Sequence, residues 1–486
     1  MVSPKSLYIN NEWIEGKGDS FESLNPATEE SIWKGRFADF YQVDTAVNLA
    51  RRSFEMWSRR PQSIRTRYVE IIREKIESRS EELAEAVSKE TGKALWETRL
   101  EVKGLLSKID ITMDATKERC SDKEIDGDGC KYVLKHKAHG VMAVLGPFNF
   151  PVHLPHGHII PAILAGNTVV FKPSELTPMS GQLLMDIYSD AKLPDGVINM
   201  VQGSGSVGEA LSQHRGVAGI LFTGSSKTGH RLSKEFAQEP KILALEMGGN
   251  NPLVVSEIDD IDAAVYGIIR SAFITSGQRC TCARRLILVD NAQTDDLLKK
   301  LVIATKNIKI GAYDEDVFCG PVISKHARDT LLTWQDNLIA QGGEPLVKME
   351  ASEKGYFLSP GIIEVSKING LADEEYFGPL LQVFLVRNIA DAIMLANNTN
   401  YGLAAGLFSK HEFEFVHFYD FIRAGIINWN SPTTGASGRL PFGGVGHSGN
   451  FRPSAYYAPD YCAYPTASTQ SEYLKLPKSL LPGIEI

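Results

Sequence analysis

Cysteine is scarce in this chain: there are six in 486 residues, at Cys120, Cys130, Cys280, Cys282, Cys319 and Cys462. That is too sparse for a disulfide scaffold, and the spacings match no zinc pattern. Long apolar runs are missing as well. None reaches the ~18 residues that a bilayer-spanning helix requires, so no membrane segment is expected. The opening stretch MVSPKSLYINNEWIEGKGD has no apolar h-region and no small-residue cleavage site, so no signal peptide is expected. A reducing, cytoplasmic setting is the simplest reading of these absences. Positive charge is in deficit, with 51 Lys and Arg against 59 Asp and Glu and a net charge of −8. This argues against a general binder of nucleic acid or anionic membrane, while leaving room for a local basic pocket. Internal repeats and low-complexity tracts are lacking too, which leaves an ordinary globular protein.

The chain has the material for more than one core. A soft prior of roughly 150 residues per domain suggests about three units. Its hydrophobic fraction of 43% and charged fraction of 23% are ordinary for a globular protein. Early segments read as helices: DTAVNLARRSFEMW (Asp44 to Trp57) after an Asp cap, then two or three amphipathic stretches in SIRTRYVEIIREKIESRSEELAEAVSKETGK. From Val141 short apolar runs alternate with helical patterns: VMAVL, a helix near Pro155–Leu164, NTVVFK, a helix near Ser180–Ala191, VINMV, a helix from Ser206, GILF, a helix from Lys227, and KILALEM. This β-α-β rhythm implies a parallel sheet with helices on both faces. A second series runs from PLVV at Pro252 through RLILVD to about Leu440. The expected fold class is α/β, with two lobes and a cleft between them. Between the early helices and the first sheet, Cys120 to Ala138 carries two Asp-Gly turn signals and reads as an outward β-hairpin.

Two glycine-rich turns compete for a phosphate. VINMVQGSGSVGEAL contains Gly203-x-Gly205-x-x-Gly208 between a strand and a helix, the dinucleotide fingerprint in its expected context. No acid stands about 20 residues beyond it at the end of a next strand, as that fingerprint expects. The alternative is a tight turn. GILFTGSSKTGHRL is the rival: Gly224 and Ser225 open a helix whose free N–H groups and dipole suit an anion. Upstream, Lys172, Ser174 and Glu175 follow a strand, the end at which open α/β sheets bind ligands. A carboxylate such as Glu175 suits a ribose diol and repels a 2′-phosphate, which favours NAD over NADP.

FITSGQRCTCARRLILV raises the chemical question, because Cys280 and Cys282 flank one threonine. Cys280 could be a nucleophile, a metal ligand or a small buried residue. A free thiol near pKa ~8.5 is mostly protonated at neutral pH, so a catalytic cysteine needs a base and oxyanion donors. Glu246, which ends an apolar strand before Gly248-Gly249, and Asn149, between two aromatics before Pro151, are the candidates. His153, His156 and His158 in PVHLPHGHII suggest a metal only superficially, since no acid or cysteine accompanies them at ligand spacing. No metal is expected, and Cys282 reads as packing.

Taken together, GPFNFP, LAGNTVVFKPSE, FTGSSKTG, LEMGGNNP, FITSGQRC, EEYFGP and PFGGVGHSG, in this order across nearly the whole chain, resemble the aldehyde dehydrogenase superfamily. The resemblance implies two Rossmann-like α/β domains plus a β-hairpin oligomerisation arm. NAD binding would fall to residues 1–119 and 139–247, catalysis to 248–440, and oligomer contacts and tail to 120–138 and 455–486. It implies Cys280 as nucleophile, Asn149 and the Cys280 N–H as oxyanion donors, and Glu246 as the base that activates water. Relatives that transfer the acyl group to coenzyme A lack that glutamate, so a free acid is expected. For NAD it implies Phe148, Lys172, Ser174, Glu175, Gly203, Gly224, Ser225, Ser226, Lys227, Thr228, Gly229, Glu375 and Phe377, with the main pyrophosphate site at Gly224–Gly229. Phe148 departs from the family, where Trp is common. Long stretches such as HLPHGHIIPAILAGNTVVFKPSELTP and GHSGNFRPSAYYAPDYCAYP are similar to a subfamily acting on a semialdehyde with two carboxylates. Arg279, Arg284, Arg439 and Ser437 are candidate partners for those carboxylates, and another small semialdehyde is the alternative substrate. The resemblance further implies a homodimer or homotetramer.

Overall fold

The computed structural model describes residues 5–477 and 479–486. Two seven-stranded sheets organise the chain. In space the first runs Ile242–Met247, Val217–Gly224, Val141–Leu145, Thr168–Lys172 and Ile198–Met200, all parallel, then Leu7–Ile9 and Glu12–Ile14, antiparallel. The second runs Glu344–Val347, Gly361–Glu364, Leu380–Val386, Ala283–Val289, Asn251–Val255, Ala404–Phe408 and Ile426–Trp429, parallel except at its first strand. Strands buried on both faces read as unbroken apolar runs. Val141–Leu145 and Ala404–Phe408 are buried at every position.

The expected βαβ rhythm is present, with helices at His153–Ala165, Pro178–Ser189, Gly205–Gln213 and Ser226–Phe236 between the strands of the first sheet. The first helix differs from the sequence reading. It spans Phe40–Trp57, and Asp39 rather than Asp44 caps it, because Asp39 and Gln42 form a reciprocal capping box. The 25-residue helix Leu95–Arg119 and the short strands before residue 37 have no counterpart in the sequence reading.

The Cys120–Ala138 segment is a hairpin, Lys123–Asp126 paired with Lys131–Ala138. The strand Ala463–Gln470 pairs along the other side of Lys131–Ala138, making a three-stranded arm within one chain. Among the described residues no helix is long and apolar enough to cross a membrane.

Candidate active site

In the first sheet the chain lays down Val141–Leu145, Thr168–Lys172 and Ile198–Met200 in one direction, then returns to place Val217–Gly224 on the other side of Val141–Leu145. Ligands of open α/β sheets bind at such a reversal, outside the strand C-termini. A cavity of about 770 Å³ opens there. All four neighbouring strand ends feed it: Leu145 to Asn149, Lys172 to Leu176, Phe222 to Ser225, and Glu246 to Gly248. From the second sheet come the loops before Ala283–Val289 and Leu380–Val386, which bring Cys280, Glu375 and Phe377 to the same cavity.

Cys280 follows an unusual turn. Thr275, Ser276 and Gly277 have φ of 57°, 51° and 70°, three consecutive left-handed residues. At the two non-glycine positions such conformations cost about 1–3 kcal/mol each and persist only where the surroundings hold them. Here the Thr275 hydroxyl donates to Glu97 (2.6 Å) and the Ser276 hydroxyl to the Gly320 carbonyl (2.6 Å). At Gly277 a Cβ would stand 2.0 Å from the Gly378 carbonyl oxygen. Beyond the turn, the Asn251 amide donates to the carbonyls of Cys280 (2.7 Å) and Cys282 (2.9 Å). Cys282 is fully buried, as its packing role requires. The Asn149 amide donates to the Gln278 carbonyl at 2.9 Å, which aims it beside Cys280 and leaves its second N–H for a ligand. Lys93 Nζ holds the Asn149 carbonyl at 2.8 Å.

Two carboxylates, Glu375 and Glu246, act on the thiol. Burial, helped by Glu375 and Glu246, pushes the Cys280 thiol up to about 12. Burial raises Glu375 to about 7, against Arg284 and the Gly249 N–H, which donates to it at 3.0 Å. Glu375 leans so closely over Gly248 that a Cβ there would meet its Oε2 at 1.7 Å. Glu246 is raised well above the usual carboxylate range by burial. Its Oε1 accepts from the Ser454 N–H at 3.1 Å, and its Oε2 has no partner among the described residues. An opposing charge is felt from Lys108, on the helix Leu95–Arg119; burial lowers this ammonium to about 8, and Glu246 acts to raise it.

The segment 441–455 closes over this base. Glu246 bridges to Gly449. Asn450 accepts from the Leu245 N–H (3.0 Å) and donates to the Leu243 carbonyl (2.7 Å), while the Ser448 hydroxyl donates to the Gly248 carbonyl (2.7 Å).

Of the residues singled out from sequence, Phe148, Asn149, Lys172, Ser174, Glu175, Gly224, Ser225, Lys227, Thr228, Glu246, Cys280, Glu375 and Phe377 line the cavity. Gly203, Ser226 and Gly229 do not. Gly203 packs on Val207, Gly229 packs on Met247, and the Ser226 hydroxyl pairs with that of Tyr401 at 3.3 Å. Gly205 and Gly208 of the fingerprint do reach the lining, as do Arg231 and Phe442, which lie within the motif stretches but were not singled out from them. Phe148, the departure from Trp, packs edge-on against Phe377 with ring centroids 5.7 Å apart. Two of the three histidines are paired, His156 with Tyr188 (2.7 Å) and His158 with Tyr461 (2.9 Å), and burial lowers His153, His156 and His158 to about 3. No group of three His, Cys, Asp or Glu among the described residues could hold a metal. The cationic candidates fare unevenly. Arg279 pairs with Glu97 (3.1 Å), Arg284 is fully buried against the Arg279 and Gly378 carbonyls, and Arg439 pairs with Asp114 at the surface, its N–H donating to Ser437.

A cysteine, an amide donor and a carboxylate on a doubly wound scaffold define a class of oxidising enzyme, and the chain belongs to the aldehyde dehydrogenase family, whose model matches residues 13–465. Within it, the chain is 51% identical over 483 residues to the N-succinylglutamate 5-semialdehyde dehydrogenase of Vibrio cholerae serotype O1 (strain M66-2), covering 99% of each. To the enzyme of that name from Hahella chejuensis (strain KCTC 2396) it is 48% identical over 490 residues, covering 100% of each. Among solved structures, betaine aldehyde dehydrogenase from Staphylococcus aureus in complex with NAD+ superimposes with a TM-score of 0.92 at 27% identity, over 98% of this chain and 97% of that one.

Proposed function

We propose that the chain oxidises N-succinyl-L-glutamate 5-semialdehyde to N-succinyl-L-glutamate with NAD, a step of arginine catabolism. The observation that carries the chemistry is that Asn149, Glu246 and Cys280, from three separate segments, line one cavity. The substrate rests on the full-length similarity to two dehydrogenases of that name.

The cavity fits a dinucleotide. Gly224, Ser225, Lys227 and Thr228 present a helix N-terminus to it, suited to a pyrophosphate. Glu175, with Lys172 Nζ 3.3 Å away, suits a ribose diol. Glu375 and Phe377 would hold the nicotinamide half beside Cys280. Bound there, NAD would supply the acceptor for the hydride that must leave a thiohemiacetal on Cys280 for it to become a thioester. Cys280 gives its proton to Glu246, which passes it on to solvent, and its Sγ attacks the aldehyde carbon. The Asn149 amide and the Cys280 N–H, which donates to no backbone carbonyl among the described residues, hold the oxyanion. Glu246 then takes a proton from the water that hydrolyses the thioester, a role suited to a carboxylate whose affinity for protons is raised. The first sheet with its helices serves as the NAD-binding domain, the second as the catalytic domain, and the three-stranded arm as a contact between subunits.

The test is NADH formation with the succinylated semialdehyde beside succinate semialdehyde, glutamate semialdehyde and butanal, using wild type and Cys280→Ala. The succinylated substrate should lead in kcat/KM, and Cys280→Ala should be silent. A lead for a simpler aldehyde removes the substrate; an active Cys280→Ala removes the mechanism.

A further inference from the structure

A second cavity, of about 700 Å³, lies next to the first. Asn149 and Cys280 line the first cavity, and their chain neighbours Phe150 and Arg279 line the second. The reactive thiol therefore sits where the two approach each other. The second cavity is walled by two carboxylates, Glu97 and Glu101, and two guanidiniums, Arg270 and Arg279.

Three of these four charges are occupied. Glu97 accepts from Arg279 at 3.1 Å and from the Thr275 hydroxyl at 2.6 Å. Glu101 is paired with Lys93 and accepts from the N–H groups of Val152 and His153. Arg270 differs. Among the described residues no carboxylate lies within the 4.0 Å of an ion pair, and its guanidinium makes no hydrogen bond. Its guanidinium carbon lies 5.6 Å from the centroid of the Tyr266 ring. It also borders a third cavity with Asp259 and Asp260, neither of which pairs with it. Yet Arg270 is half-buried, in the last turn of the helix Ile261–Phe273, and the Thr434 hydroxyl bonds to its carbonyl at 3.4 Å. A partly desolvated guanidinium without a counter-ion is a poor arrangement unless an anion arrives. The same helix leads directly into the turn that carries Cys280, so the cation and the nucleophile are held at a fixed offset.

We propose that Arg270 receives a carboxylate of the substrate remote from the aldehyde carbon, making the second cavity the acid-recognising arm of the site. The ligand class is an aldehyde with a distal carboxylate, its chain running past Phe150 from Cys280 to Arg270. This rests on the semialdehyde reading given above. Arg279, fixed by Glu97, shapes the passage and adds no free charge.

The experiment measures kcat/KM for N-succinylglutamate semialdehyde and for butanal in wild type, Arg270→Met and Arg270→Lys, with Tm recording the fold. The preference for the dicarboxylate over butanal should fall about 10–100-fold in Arg270→Met, chiefly through KM, and return in part in Arg270→Lys. A wild type that prefers the dicarboxylate, with the preference intact in Arg270→Met, overturns this inference alone. An equal loss for both aldehydes also overturns it, since a structural role would act that way. A wild type with no preference for the dicarboxylate overturns the substrate reading and takes this inference with it.

Discussion

Cys280 is held as a thiol by its surroundings, and its two acidic neighbours can be separated experimentally. An adjacent carboxylate disfavours a thiolate, so removing the charge lowers the thiol's pKa and raises the thiolate fraction at any given pH. Glu375, at about 7, is largely ionised at pH 8.5. Glu375→Gln should therefore be alkylated by iodoacetamide several-fold faster than wild type at pH 8.5, and the gap should narrow below pH 7, where Glu375 is neutral in both. An unchanged rate would mean that burial alone controls the thiol. Lys108 acts in the opposite sense on Glu246, because a nearby cation favours the carboxylate. The other groups that feel Lys108 are His153, His156 and His158, all kept neutral by burial. Lys108→Met should raise the pKa of Glu246 further. The acid limb of the kcat profile should then move to higher pH, whereas a loss of fold would lower kcat at every pH alike.

At the scale of elements, what could be read from sequence depended on what each element faces. Thr168–Lys172 and Val141–Leu145 are short, β-branched and buried on both sides, so their character is written in consecutive residues. The strands at Leu7–Ile9 and Glu12–Ile14 have three residues each, too few for a period to show. The helix Leu95–Arg119 is long yet carries a weak hydrophobic stripe. Its inward face includes Glu97, Glu101 and Lys108, charged residues buried because they line or approach the site. Those buried charges break the apolar pattern that would have revealed the helix. Likewise Cys280, Glu246 and Asn149 stood out through motif and resemblance, while Arg270 sits at a helix end with nothing local to mark it. Two predictions belong here. Gly277→Ala would push a Cβ into the Gly378 carbonyl in a left-handed conformation. It should cost at least about 2 kcal/mol in unfolding free energy, read from denaturant melts, and abolish most activity by displacing Cys280. The buried Glu90 accepts from the N–H groups of Met179 (2.8 Å) and Ser180 (2.7 Å), capping the helix Pro178–Ser189 where Thr177 makes no cap bond. Glu90→Ala should lower stability by about 1–3 kcal/mol per orphaned group, seen as a drop in Tm, with KM for NAD nearly unchanged.

For the whole molecule, the three-stranded arm is the exposed piece that no core explains. Ile125, Tyr132 and Tyr464 present large side chains to solvent there, on a sheet with open edges. Unprotected edges invite pairing with another chain. If the arm joins subunits as proposed, replacing 123–137 with a two-residue turn should give smaller species than wild type in sedimentation velocity. An unchanged sedimentation coefficient would assign the contact elsewhere.

The clasp formed by Ser448, Gly449 and Asn450 on the strand that carries Glu246 has a temporal meaning. A ribosome releases the chain from its N-terminus, and domains fold as they emerge. The first sheet can assemble once Met247 has appeared, and the second once Trp429 has. Neither event completes the base, whose Oε1 waits for Ser454. A chain interrupted between Trp429 and Ser454 would hold both sheets and the thiol but lack the hydrogen bond to the Glu246 Oε1. Under the proposed mechanism, a nascent or prematurely stopped chain would therefore carry a hydrolytic base without its Ser454 contact.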